Sequence, residues 1–526
     1  MKRIIFLIVA SLMVLGFVVP GCTGPGGGGW VPTVYVAVVG PLTDIQGQNH
    51  LGGAMMARDE INAAGGVVIN STSYKVALVE VETNEAAELT GLTGKANLLA
   101  AFAANPNITF CVGGFRTECV QVYRDVAMDA HKIFMNCGAA TDSLQFSVVS
   151  NYSTYKYFFK STPYNSTFLV KSCLKMTSTI GGVLNATLAA YNATLKPEYQ
   201  TDASFTSERA AIIMENTAWC DVLYYVANVY LPALGFNVTY AARVDPTATD
   251  ISTQLNAMKA TFPHIIFTAF SGSVGATFST QKASLGVPGM VIGINVPAQQ
   301  LNHWSETGGT CVGEVELDTW AENLSNTNTT VAWFNAYLAR FGRYPVYTAG
   351  TYDAIKLVCR AIHATNSLDS DTLVAWLENP ANAMLDSVAS PKVMTYPQPA
   401  ITINATMYAL SADQVYALYP NINSTWIRFT PTFPYFNVTA GYYMTDWLCG
   451  PSSMPHIQHD LVYGPGLVTG IGAQWQNVSG AGKKVGVWPM YLGPSSNIKL
   501  TDQYGLWNFQ YPGTRSLYIP LKQFQP

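Results

Sequence analysis

The chain has 526 residues, of which 49% are hydrophobic and 11% charged, with a formal net charge of −4. That balance gives no electrostatic basis for holding nucleic acid. A chain this long exceeds what one hydrophobic core usually holds, so two lobes are expected, with a surface that is polar but largely uncharged.

The chain opens Met1-Lys2-Arg3, continues as an apolar run over Ile4–Val19 and reaches Gly21-Cys22. A charged start, an apolar stretch of this length and a small residue before Cys read as an export signal rather than a spanning helix. Residues 1–21 would then be a signal peptide, with lipid carried on Cys22; the alternative is an uncleaved N-terminal anchor. Either way the body sits outside the membrane, at the cell surface. Residues 22–32, containing Thr23–Gly29 (TGPGGGG), are a flexible tether. No later run is long and apolar enough to cross a membrane.

Eight further cysteines, at 111, 119, 137, 173, 220, 311, 359 and 449, are an even set in an exported chain and suggest disulfides. Cys111 and Cys137 lie on candidate neighbouring strands. Thirteen asparagines begin N-x-S/T: 70, 107, 151, 165, 185, 192, 237, 323, 328, 404, 423, 437 and 477. Glycosylation outside the cell is the expectation.

In chain order, Thr33–Val39 is a strand, Leu51–Ala64 a helix stopped by Gly65-Gly66, and Tyr74–Val81 a strand. Leu89–Asn105 is a helix, ended before Pro106. Thr109–Val112 and Lys132–Cys137 are short apolar strands flanking a helix at Val120–Asp129. Strand, helix, strand implies a parallel pair, whose following turns, Gly113-Gly114 and Gly138-Ala139-Ala140-Thr141, share one sheet edge. Open α/β sheets bind ligands at that edge. Thr117, Thr141 and the N–H groups opening each helix would favour an anion such as a carboxylate. Arg116 would add a charge-assisted contact. The competing reading is a pair of tight βα turns with Arg116 on the surface.

The pattern then restarts. A helix at Thr167–Thr177 precedes strands at Ala210–Met214, Asn237–Arg243, His264–Phe270 and Val291–Gly293, with helices at Val222–Leu234 and Ile251–Thr261. Val331–Gly342, Tyr352–Ala364 and Thr372–Leu377 are helical. Beyond about Val393 short strands, Pro, Gly and aromatics alternate. The fold class is α/β: two doubly wound, Rossmann-like lobes.

Sequence motifs for enzymes are weak. His456, His459 and Asp460 follow Pro455, which argues for a loop rather than helical metal spacing. The glycines between Gly464 and Gly472 lack the strand-then-helix setting of a phosphate site, and no G-x-S-x-G occurs. No catalytic residue, metal or cofactor is assigned.

Val39-Gly40-Pro41-Leu42, Gly52-Gly53-Ala54 and Asp59-Glu60-Ile61-Asn62-Ala63-Ala64-Gly65-Gly66 resemble the start of type I periplasmic binding proteins. The likeness is to the Leu/Ile/Val substrate-binding components of ABC transporters. Thr351-Tyr352-Asp353-Ala354-Ile355 and Gly472-Ala473-Gln474-Trp475-Gln476 extend it. The resemblance implies two lobes joined by a three-crossover hinge: 33–165 and 320–392 as lobe 1, 166–319 and 393–489 as lobe 2, and 490–526 as a C-terminal extension. It also implies partners, namely a small-molecule ligand and the permease and ATPase subunits of an importer. A ligand-sensing receptor ectodomain on the same fold is the alternative, with an extracellular enzyme third.

By the same resemblance Thr117, Ala139 and Thr141 hold a ligand carboxylate, with Ala140 in the same ligand-binding turn, Trp219 covers the ligand, and Phe270-Ser271 lie nearby. Where amino-acid binders carry acids for the ammonium group, the matching positions here are Asn165 and Asn295. A neutral amide pairs poorly with a desolvated ammonium, which favours a neutral polar or amide-like ligand, or a carboxylate without an amine.

Overall fold

The structure, a computed structural model, describes residues 31–378 apart from 86, 162–164, 201–207, 326 and 328. It also describes 382, 471–488, 513–526 and four two-residue strands, β12 (Met384–Leu385), β13 (Lys392–Val393), β14 (Ile401–Thr402) and β15 (Ile427–Arg428). The export signal, Cys22, Cys449 and the His456–Asp460 cluster lie outside the described residues. Among the described residues no helix is long and apolar enough to cross a membrane.

The first sheet comprises β1 (Thr33–Gly40), β2 (Val67–Ile69), β3 (Thr72–Glu82), β4 (Ile108–Gly113), β5 (Ile133–Asn136) and β6 (Phe158–Lys160). Its order is β2-β3-β1-β4-β5-β6, parallel except for the β2–β3 hairpin. Helices α1 (Ile45–Ala63), α2 (Leu92–Ala104), α3 (Thr117–Asp129), α4 (Ser143–Ser150) and α5 (Tyr152–Tyr155) connect the strands. β4 and β5 are buried along their whole length, as strands covered on both faces must be.

The second sheet is built from β7 (Arg209–Glu215), β8 (Asn237–Val244), β9 (Ile265–Phe270), β10 (Met290–Asn295), β11 (Val315–Asp318), β16 (Ile471–Val478) and β17 (Ala481–Trp488). Its order is β17-β16-β11-β10-β9-β7-β8, and β16 and β17 run antiparallel to their neighbours. Helices α6 (Ser166–Ala190), α7 (Ala218–Ala233), α8 (Ser252–Lys259), α9 (Val274–Ser284) and α10 (His303–Glu306) accompany it. Helices α11 (Thr330–Phe341), α12 (Thr351–Thr365) and α13 (Ser370–Leu377) follow. The first two return to the first lobe, where Tyr337 donates to Asn49 Oδ1 at 2.6 Å and Thr351 donates to the His50 carbonyl at 2.7 Å.

Three differences from the sequence reading have local causes. β2 was too short to register as a strand, and α6 runs on to Ala190 instead of stopping near Thr177. β11 carries Glu316 and Asp318, which look like loop residues in a sequence, yet the strand is fully buried. The disulfides are corrected outright: Cys111, Cys119, Cys137, Cys173, Cys220, Cys311 and Cys359 are free, buried thiols. They act as small core side chains, with Cys137 and Cys119 donating to the carbonyls of Met135 and Glu88.

The last residues pack on the second lobe. Phe524 is buried with its ring 5.1 Å from that of Tyr199, and Gln474 accepts from Tyr518 N–H at 2.8 Å.

Candidate functional site: a cleft between the lobes

The turns after β4 and β5 touch because three glycines allow it. Gly113 and Gly114 sit at φ +125° and +86°, and a Cβ on Gly138 would overlap the Gly114 carbonyl. Asn136 organises the second turn: its Oδ1 accepts from the Ala139 N–H at 3.0 Å and its Nδ2 donates to the Ala139 carbonyl at 2.8 Å. Buried Lys160 donates to the Ala140 carbonyl at 2.9 Å. The result places the Thr117 and Thr141 hydroxyls 2.6 Å apart.

Glu85 fixes the other turn. Its carboxylate accepts from the Arg116 N–H, from Thr83 Oγ1 at 2.7 Å and from Tyr123 OH at 2.8 Å. Burial pushes its pKa up to about 7, against the opposing pull of those donors. Arg116 itself is only 6% exposed, and its Nε and Nη1 meet no acceptor among the described residues.

Glu215, at the end of β7, sets the facing wall. It accepts from Trp219 Nε1 at 2.7 Å, Thr217 Oγ1 at 3.0 Å, the N–H groups of Ser271 and Gly272 at 2.8 and 2.9 Å, and the Ser271 hydroxyl. Trp219 is thereby held at the mouth of the second lobe. Asp318, at the end of β11, is paired with Lys484, and both side chains are fully buried. Lys484 also donates to the Gln299 carbonyl at 2.6 Å.

These walls face each other across a cleft with about 570 Å³ of empty space, its open mouth included. Arg116, Thr117, Ala140, Trp219 and Ser271 line it, bringing together both halves of the sequence-derived site. Ala139 and Thr141 stand behind, Thr141 through its bond to Thr117. Phe270 is buried in the core, its ring 5.2 Å from that of Phe278. Asn295 points at α9, donating to the Gly275 carbonyl at 3.2 Å. Asn165 is buried at the start of α6 and does not line the cleft, and a glycan has no room there.

The sequence reading missed Phe115, Leu169, Ile294, Val296 and Leu317, which make the cleft mainly apolar. It also missed Gln299, Asp318, Thr319 and Tyr347. Ile294, Val296 and Asp318 lie at or just after strand ends, where open α/β sheets bind ligands. Tyr347 comes from the segment before α12, and no local signal pointed to it.

The sequence profile of the family described as Periplasmic binding protein matches residues 33–417. No curated protein matches the sequence. Among solved structures, the branched-chain amino acid transporter substrate-binding protein LivJ from Streptococcus pneumoniae, in complex with isoleucine, is 16% identical. It superposes with a TM-score of 0.53 over 68% of this chain and 91% of its own. A solute-binding protein of an ABC transporter from Rhodopseudomonas palustris, in complex with 3,4-dihydroxybenzoic acid, is 17% identical, with a TM-score of 0.54 over 69% and 89%. Another from R. palustris, in complex with 4-hydroxybenzoate, is 17% identical, with a TM-score of 0.52 over 68% and 88%. The chain belongs to the periplasmic binding protein family, with the type I fold of the branched-chain amino acid transporter binding proteins.

Proposed function

We propose that this protein is the solute-capturing subunit of an ABC importer, a lipoprotein anchored through Cys22, and that its lobes close on a small carboxylate with an apolar body. The observation that carries the ligand class is Arg116, a buried guanidinium whose Nε and Nη1 meet no acceptor among the described residues, in a mainly apolar cleft. Buried guanidinium donors without an acceptor are costly, and a carboxylate with no cation of its own satisfies them most fully. The Thr117 hydroxyl and the N–H groups opening α3 add donors on the same side. The Asn residues at 165 and 295 do not bear on an ammonium group, because neither faces the cleft.

Closure follows from differential affinity. A ligand that reaches both walls is bound better by the closed form and shifts the hinge towards it, which is the form that permease subunits read. The test is a thermal-shift screen of carboxylates, amides, sugars and amino acids on wild type and Arg116→Ala. Carboxylates should raise the melting temperature of wild type and lose that effect in the variant. A screen led by neutral sugars or amides, unchanged in the variant, would reject this reading.

A further inference from the structure

The second lobe's side of the cleft has the reverse chemistry at Gln299. Gln299 is 2% exposed and lines the cleft. Its Nε2 donates to the Leu317 carbonyl at 3.2 Å, while its Oε1 meets no donor among the described residues. The amide orientation is fixed by that bond, since turning it over would set Oε1 against the Leu317 carbonyl. Beside it stands Asp318, whose Oδ1 accepts from the Thr319 N–H at 2.6 Å and whose Oδ2 accepts from Lys484.

Among the described residues, Arg116 therefore offers donors without acceptors, and Gln299 an acceptor without a donor. Charge counting narrows what fits. Lys484 already balances Asp318, so these two side chains bring no net negative charge to the Gln299 end of the cleft. A neutral donor satisfies Gln299 Oε1 without adding an uncompensated charge to a buried site.

We propose that Gln299, with Asp318 beside it, is a specificity-determining acceptor pole that selects ligands carrying a hydroxyl at the end remote from the carboxylate. The ligand class is a hydroxylated apolar monocarboxylate, bridging Arg116 on one lobe and Gln299 on the other. This rests on the carboxylate reading above. A ligand lacking the hydroxyl leaves Gln299 Oε1 buried and unsatisfied, which is how a site rejects a near-isosteric analogue.

The test compares 4-hydroxybenzoate with benzoate by calorimetric titration of the full chain, in wild type, Gln299→Leu and Arg116→Ala, with leucine as a third probe. Wild type should prefer 4-hydroxybenzoate by roughly ten- to a hundredfold. Gln299→Leu should erase the preference by losing affinity for 4-hydroxybenzoate, whereas Arg116→Ala should weaken both acids. Equal binding of both acids by wild type, with loss of both in Arg116→Ala, would overturn the acceptor pole and leave the carboxylate reading standing. A preference that survives in Gln299→Leu would also overturn it, as would leucine binding tighter than either acid. Binding of neither acid, or binding unaffected by Arg116→Ala, would count against both proposals. Melting temperatures of the variants separate loss of the pole from loss of the fold.

Discussion

Glu118, on the first lobe, accepts a hydrogen bond at 2.9 Å from the backbone N–H of Ala218, the first residue of α7 on the second lobe. Thr217 precedes α7 without a side-chain bond of its own to the helix start, so the cap is supplied from across the cleft. A carboxylate there meets both an orphan N–H and the positive end of the helix. Gln46 adds a second bridge, donating to the Ser271 carbonyl at 3.4 Å. These two contacts tie the lips of the cleft together.

Glu118→Ala should release that tie. A lost N-terminal cap is worth roughly 1–2 kcal/mol, or about a five- to thirtyfold shift of the hinge equilibrium towards open. Ligand affinity should fall by a similar factor, and small-angle scattering of the unliganded variant should give a larger radius of gyration. Unchanged affinity and radius would show that Glu118 does not hold the lobes together.

Glu215→Gln changes one oxygen into an NH₂ group inside a ring of donors. One of Trp219 Nε1–H, Ser271 N–H and Gly272 N–H must then face another N–H. The cost should be about 1–3 kcal/mol of stability, with ligand affinity reduced because Trp219 loses its anchor. Chemical denaturation and calorimetric titration of the variant measure the two effects, and a variant matching wild type in both would remove Glu215 as the organiser of that wall.

Lys484 reaches across the second sheet to Asp318, with β16 between their strands. Lys484→Met leaves the carboxylate buried without its counter-ion, which should cost about 3–5 kcal/mol. Adding Asp318→Asn should restore much of the loss. A double-mutant cycle in urea reads the coupling directly, and purely additive losses would show that the pair is not coupled.

Glu85 makes stability depend on pH. Its pKa is raised from 4.5 to about 7, so the folded state holds this proton more tightly than the unfolded chain does. Its contribution is fully present below about pH 4.5 and is lost as pH rises through 7, a swing of about 3 kcal/mol. His50 works in the opposite direction: burial lowers its pKa to about 4, so its contribution is lost as pH falls below 6.5. The difference between wild type and Glu85→Gln isolates the Glu85 part. Unfolding free energies from pH 4.5 to 7.5 should show wild type losing stability with rising pH relative to the variant, and parallel curves would contradict the assignment.

The alternation of apolar strand and helix made the two-lobed α/β architecture legible, because strands such as β4 and β9 are buried on both faces and read as apolar runs broken only by Thr109 and Thr268. The first-lobe turn was equally plain, since Gly113, Gly114 and Gly138 mark where two backbones approach. What stayed hidden depended on contacts between distant segments. Glu85 reaches Arg116 across 31 residues and Lys484 reaches Asp318 across 166, separations at which no local pattern exists. Asn295 misled for a related reason: it ends a strand at the ligand edge, but its side chain turns to the close-packed Gly275 of α9.

The central claim is that Arg116 binds a carboxylate, and one comparison tests it most directly. The acid that most stabilises the protein is titrated calorimetrically alongside its own primary amide, of nearly the same shape but uncharged, into wild type and Arg116→Ala. Wild type should prefer the acid by at least about tenfold, the worth of a charge-assisted contact in a buried site, and the variant should bind acid and amide alike. Equal affinity of wild type for acid and amide would contradict the account.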